Sequence, residues 1–372
     1  MKKFRFATTC VAMACGVVLT ACGGGGDGQV TDIPAPPPPA QPVGTLQAPA
    51  QVAQSMGAVA LPADTYDVAA MMVMPTLTPL ESLGTEDYWR ITLDRASRTY
   101  AIRPVRSESK MPNVQGGYTT VKNGDVETIT FENGRGQLKI SDAYKTLTGI
   151  AHGAQLIGTG YAPTAIAPLD GNYNFVNVGW TDSSKVRYQS YGQASIKNGA
   201  LLLCPGSTVQ ADGSCTDGKK STKWDMTYSN GLVQVKDVAN PSYPVNTAHL
   251  IASDVGKALV IAGGMGSTYL VQASNTGANV INGNWSCNEE SLTARTMNIS
   301  APSLTYNGRS TTVLLNALYD VVQNKPYTFP GFVGADSKDN LPVALLPLSS
   351  KLAVGTIGMP TFTGSLFDWC TR

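Results

Sequence analysis

The chain has 372 residues, 27 of them basic and 26 acidic, with a formal net charge of +1. That length allows two or three domains. Three basic residues, Lys2, Lys3 and Arg5, precede the first apolar segment, and the rest of the chain carries 24 basic and 26 acidic side chains. Such a balance argues against nucleic acid as a partner and against a polybasic membrane patch, because both need a basic surface.

Residues 6–20 are apolar and small, too short and too rich in Ala and Thr for a spanning helix. With the positive residues ahead of them they read as a cleaved export signal, residues 1–21. Leu19-Thr20-Ala21-Cys22 ends the segment and resembles the lipobox of bacterial lipoproteins. The resemblance covers about the first 26 residues. It implies cleavage before Cys22, a thioether diacylglycerol on its sulfur and an acyl chain on its amino group. At roughly 0.8 kcal/mol per buried methylene, three acyl chains make a permanent membrane anchor. Gly23 rather than Asp follows, which by the same resemblance places the protein at the outer membrane, in either its periplasmic or its surface leaflet. The alternative is an ordinary secretory signal with an incidental Cys.

After the lipidated Cys, residues 22–50 hold Gly23 to Gly26, Pro34 and Pro36 to Pro39, a composition that cannot build a core. Gly-rich chain is flexible and Pro-rich chain extended. The stretch reads either as a tether holding the folded part off the membrane or as a spacer of no chosen length. Residues 51–84 read as a connecting segment, with helix possible over the Ala-rich residues 48–60.

The remainder is punctuated by turn dipeptides. Asn-Gly stands at 123–124, 133–134, 198–199, 230–231, 282–283 and 307–308, and Asp-Gly at 170–171, 212–213 and 217–218. These pairs favour the positive-φ turns of tight hairpins. Their flanks alternate: Ile129 and Phe131 before one pair with Leu138 and Ile140 after it, Ala194 and Ile196 before another with Leu201 and Leu203 after it. The pattern predicts an all-β protein of two or three antiparallel β-sandwich or small β-barrel units. Three β segments are expected, 85–165, 166–279 and 280–372. An internal echo supports repetition: Leu169-Asp-Gly-Asn-Tyr173-Asn-Phe175 resembles Ile281-Asn-Gly-Asn-Trp285-Ser-Cys287. Residues 310–323 place Leu314, Leu318, Val321 and Val322 at helical spacing behind Ser310, yet are β-branched enough for a strand.

Gly283-Asn284-Trp285 also resembles the G-x-W that opens the first strand of lipocalin-type barrels. That resemblance implies an up-and-down barrel with an apolar ligand cavity. No accompanying basic residue that would close the barrel bottom is evident from the sequence.

Four cysteines remain once Cys10, Cys15 and Cys22 are set aside: Cys204, Cys215, Cys287 and Cys370. An even number in an exported protein points to disulfides, with three connectivities open. Cys204–Cys215 would close a short Gly/Asp-rich loop, and Cys287–Cys370 would join the first and last parts of the final segment. A zinc site is the alternative, but no C-x-x-C occurs and only His152 and His249 are available. No metal or cofactor is expected.

Catalytic signatures are weak. No G-x-S-x-G elbow occurs. Ser107-Glu-Ser-Lys110 fits the S-x-x-K of penicillin-interacting serine enzymes but lacks a later K-T-G. His152 and His249 read as structural or surface residues. Glu289 and Glu290 are adjacent and would point to opposite faces of a strand. Gly263-Gly264-Met265-Gly266 lacks the spacing of a phosphate loop and reads as a turn between strands. Trp89, Trp180, Trp224, Trp285 and Trp369 are expected in the core rather than on a sugar-stacking platform. No catalytic residue is assigned. The expected role is non-catalytic: a lipid-anchored outer-membrane protein binding a small ligand or an envelope protein. An envelope polymer or glycan hydrolase and an adhesive or structural surface module are the alternatives.

Overall fold

The turn dipeptides act as the alternation requires. Asn198-Gly199, Asn230-Gly231 and Asn307-Gly308 each place both residues at positive φ, between +49° and +80°. That is the geometry whose twist matches paired antiparallel strands. The structure is a computed structural model and describes residues 45–72, 88–105, 113–152, 154–180, 187–218, 221–243, 245–263, 266–274, 276–289, 294–320, 325–335, 343–358 and 365–372. The export signal, Cys22, most of the tether and Ser107 to Lys110 lie outside the described residues.

A short helix α1 (Pro49–Ser55) leads into strand β1 (Ala58–Ala60). Of the Ala-rich run, the first part is therefore helix and the end is strand. Then come three closed eight-stranded barrels, each with its strands neighbouring in chain order. The first comprises β2 (Thr65–Met72), β3 (Tyr88–Asp94), β4 (Thr99–Pro104), β5 (Val114–Asn123), β6 (Val126–Phe131), β7 (Gly136–Ser141), β8 (Thr146–Ala151) and β9 (Ala154–Thr159). Its opening strand thus comes from the stretch read as a connecting segment. Strand β10 (Tyr161–Pro163) pairs with β1.

The second barrel comprises β11 (Gly171–Trp180), β12 (Arg187–Lys197), β13 (Ala200–Pro205), β14 (Thr222–Ser229), β15 (Leu232–Asp237), β16 (Asn246–Ile251), β17 (Ala258–Gly263) and β18 (Gly266–Gln272). One helical turn, α2 (Thr276–Asn279), leads to the third. That barrel comprises β19 (Gly283–Glu289), β20 (Ala294–Ser300), β21 (Ser303–Tyr306), β22 (Arg309–Asp320), β23 (Lys325–Ala335), β24 (Val343–Ser349), β25 (Leu352–Gly358) and β26 (Ser365–Thr371). The protein is all-β, built of small antiparallel barrels.

The stretch open between helix and strand is strand β22, paired with β21 and β23. Leu314 and Leu318 share a face in either structure, since a spacing of four returns to the same side of a helix and of a strand. A bulge at Asn316, at φ +56°, interrupts the ladder. Its Oδ1 accepts the Gly331 amide at 2.9 Å.

Alternation fills the barrel interiors. Val68, Trp89, Ile91, Ile102, Ile129, Leu138 and Leu156 are all 0% exposed inside the first, so no water-sized void touches them. Tyr173, Phe175, Leu201, Val233, Leu259 and Leu270 fill the second in the same way, with Val52 of α1 and Met56 just after it packed against them. Eight strands enclose a space just wide enough for such side chains. In the third barrel Cys287 and Cys370, a cross-strand pair of β19 and β26, form a disulfide within the core. The other disulfide, Cys204–Cys215, closes a loop between β13 and β14.

A further core lies between barrels. Ala69 and Ile157 from the first, Val178, Val260 and Tyr269 from the second, and Phe329, Phe332, Leu346 and Trp369 from the third form one buried cluster. Strands that serve both cores lose alternation: every residue of β9 is buried, and all but the first of β16. Asn174 of β11, fully buried, donates from its side-chain amide to the Pro330 carbonyl at 2.7 Å, tying the second barrel to the third. Gly331, at φ +87°, is needed there because a Cβ would sit 2.4 Å from that amide nitrogen.

Candidate functional site

Each barrel closes its lower end, where the first strand begins, with a basic residue. Arg95 binds the Asp64 carboxylate at 2.6 Å and also Glu127, which points into the first barrel. Burial would raise the Glu127 pKa, but hydrogen bonds from Thr120 and Arg95 hold it below its ordinary value. Lys257 donates to the Pro168 and Asp170 carbonyls under the second barrel. Arg372 donates to the Asn282 carbonyl and lies 5.6 Å from the centre of the Trp285 ring. The basic residue missing from the sequence reading of Gly283-Asn284-Trp285 is therefore Arg372, ninety positions from the carbonyl it binds and invisible as a local motif.

The echo between the second and third segments has a structural counterpart. Tyr173 donates its hydroxyl to the Leu169 carbonyl at 2.6 Å, and Trp285 donates its indole N–H to the Ile281 carbonyl at 2.8 Å. In both, an aromatic residue in the first strand caps the chain four residues earlier.

These lower ends also join the molecule. The turn between the sixth and seventh strands of each barrel supplies one residue to a buried cluster: Tyr144, Asp254 and Ser350. Tyr144 donates its hydroxyl to Asp254 Oδ2 at 2.7 Å, and the Ser350 amide donates to Asp254 Oδ1 at 2.8 Å. The Ser350 hydroxyl binds Asp254 Oδ2 as well. Burial, and beside it the Asp254 carboxylate, push the Tyr144 hydroxyl up to about 12.

Next to this junction a cleft of about 590 Å³ opens between the outer wall of the first barrel and the lower end of the third. It falls in the size range of small-molecule sites. Two cross-strand rows form one wall: Thr128–Lys139–Thr148 and Val126–Ser141–Thr146 on β6, β7 and β8. Strand alternation aims them outward, because Leu138 and Ile140 take the inner positions of β7. Ser286, Lys351, Thr371 and Arg372 form the facing wall. Three cations, Lys139, Lys351 and Arg372, face one carboxylate, Asp125. Lys139 Nζ donates to Thr371 Oγ1 at 3.3 Å, and burial lowers its pKa.

The residues singled out from the sequence do not assemble into this cleft. His249 is buried in β16, with its ring 4.8 Å from that of Tyr88. His152 sits at φ +51° in the turn between β8 and β9, its pKa lowered by burial and by Arg135. Glu289 ends β19, and Glu290 lies outside the described residues. Gly263 and Gly266 pair at the turn between β17 and β18. Trp89, Trp285 and Trp369 are buried, and Trp224 is partly so. Among the described residues, no group of three or more His, Cys, Asp or Glu is placed to hold a metal ion. The cleft was missed because its signal is diffuse: Lys139 is one outward residue of an alternating strand, and its partners are over two hundred positions away.

No family model matches the chain. No curated protein matches it either. Among solved structures it is similar to the vaccine antigen transferrin-binding protein B from Haemophilus parasuis, at 9% identity and a TM-score of 0.19, over 85% of this chain and 78% of that one. It is also similar to intact Ap-TbpB, with its N and C lobes, at 10% identity and a TM-score of 0.17, over 84% and 77%. A third is a Nostoc punctiforme protein with unknown function from the DUF3598 family, at 11% identity and a TM-score of 0.17, over 87% and 98%. At these TM-scores no role is carried over, and the barrels rest on this chain's own strand pairing.

Proposed function

We propose that the protein is a lipid-anchored, non-catalytic binding protein of the bacterial outer membrane. Its three-barrel body would be held at the membrane surface by Cys22 and the Gly/Pro-rich tether. The observation that carries the binding role is the cleft between the first and third barrels. It is walled by hydroxyls and cations set on rigid strands, the arrangement that fixes a polar ligand in place. Among the described residues, the interiors of the first two barrels are filled by buried side chains, whereas the cleft is lined by polar ones.

Two measurements test this. Metabolic labelling with palmitate should mark the full chain in the membrane fraction, and Cys22→Ser should abolish both label and membrane retention. An unlabelled chain that stays at the membrane would overturn the anchor. Native mass spectrometry of the Cys22→Ser chain, purified gently from the periplasm, should show an added mass that is lost on denaturation. A bare chain that binds neither small molecules nor envelope proteins would overturn the binding role.

A further inference from the structure

Several cations among the described residues have an ionic or a backbone-carbonyl partner. Arg90 is paired with Asp67 at 2.7 Å, Arg95 with Asp64 and Glu127, and Lys257 and Arg372 rest on backbone carbonyls. Lys139 has neither. Its ammonium meets one neutral hydroxyl, that of Thr371, and among the described residues no carboxylate lies within ion-pair distance of it. A cation withdrawn from water without a partner is unfavourable. That cost is retained on a wall where Thr128 and Thr148 flank Lys139 directly across the strands.

We propose that the cleft binds a small polar molecule through an anionic oxygen group, phosphate or carboxylate, seated on Lys139 between the hydroxyls of Thr128, Thr148 and Thr371. An ammonium is a point charge that takes either group, and a charge-assisted hydrogen bond is about twice as strong as a neutral one. Lys351 and Arg372 add positive potential from the facing wall. Asp125, which accepts the Ser141 hydroxyl at 3.4 Å, disfavours a second anionic group at its side and offers an acceptor to a ligand hydroxyl or amine. The proposal rests on the reading of the chain as a binding protein and names the ligand chemistry of its cleft.

The test uses the full chain with Cys22→Ser, which has no lipid anchor of its own. Glycerol 3-phosphate and glucuronate are titrated into it by calorimetry, and flotation is measured with phosphatidylglycerol/phosphatidylcholine vesicles. At least one probe should bind saturably, and Lys139→Met should weaken that binding tenfold or more while its Tm stays equal or rises. Saturable binding of a soluble probe assigns a free ligand. Flotation lost in Lys139→Met, with no soluble binding, assigns a lipid headgroup. Either result supports the site. Thr128→Val and Thr148→Val should each weaken binding several-fold, and they decide the matter if Lys139→Met folds poorly. Absence of binding to every probe, or equal binding by the Lys139 and Thr variants, overturns the proposal. A native added mass that persists in Lys139→Met would overturn this site while leaving the binding-protein reading intact.

Discussion

The interior of the first barrel and the cleft against its outer wall are two faces of the same strands, built to opposite specifications. On β7, Leu138 and Ile140 point inward and are 0% exposed, whereas Lys139 and Ser141 point outward into polar space. Among the described residues the interior is filled by buried apolar side chains, which contribute stability. The cleft holds a half-buried cation and a row of hydroxyls, groups that contribute little to stability and suit recognition. Along a strand, then, residue parity separates the structural role from the binding role.

This contrast yields predictions of graded size. The largest concerns the interior. Trp89→Ala should cost about 3–5 kcal/mol, because a fully buried indole leaves a cavity its neighbours cannot fill. Chemical denaturation would measure it, and a loss below about 1 kcal/mol would mean that the interior is plastic. Next is the junction below the barrels. Asp254→Ala leaves the Ser350 amide without its acceptor and the Tyr144 and Ser350 hydroxyls with only each other in a buried site, at a cost of about 3 kcal/mol. Protease sensitivity between barrels should rise in that variant, whereas Trp89→Ala should expose the first barrel itself.

A smaller effect is pH-dependent. The Tyr144 hydroxyl has a folded pKa raised from 10 to about 12, so it holds its proton more tightly in the folded state. Its stabilising contribution is complete below pH 10 and is lost as pH rises from there through about 12. Tyr144→Phe should flatten the fall in Tm across that interval, and an unchanged slope would remove Tyr144 as its source. The smallest effect sharpens the contrast most. Lys139→Met should leave thermal stability equal or slightly higher near neutral pH, since burial lowers the ammonium pKa and no ion pair is lost. A clear drop in Tm would place Lys139 among the structural residues.

Much of the fold was legible because its signals are local. Asn198-Gly199, Asn230-Gly231 and Asn307-Gly308 set hairpins through their own backbone preferences, and alternation around them orients each strand. The strand at Arg309–Asp320 was ambiguous because a spacing of four shares a face in both structures. The opening strand Thr65–Met72 was missed because it pairs with both its chain neighbour β3 and the far strand β9, and no Asn-Gly marks it.

The candidate site was less legible. Arg372 and Trp285 meet only once the third barrel has closed, and Lys139 finds Thr371 only when two barrels pack side by side. Sequence by itself determined an all-β chain of hairpins with alternating faces, because turn chemistry and strand period act over a few residues. Tertiary structure alone decided that the hairpins close into three barrels, that Tyr144, Asp254 and Ser350 meet, and that a cationic cleft opens beside them. Those features depend on contacts between residues tens to hundreds of positions apart, whose pairing no short-range preference encodes.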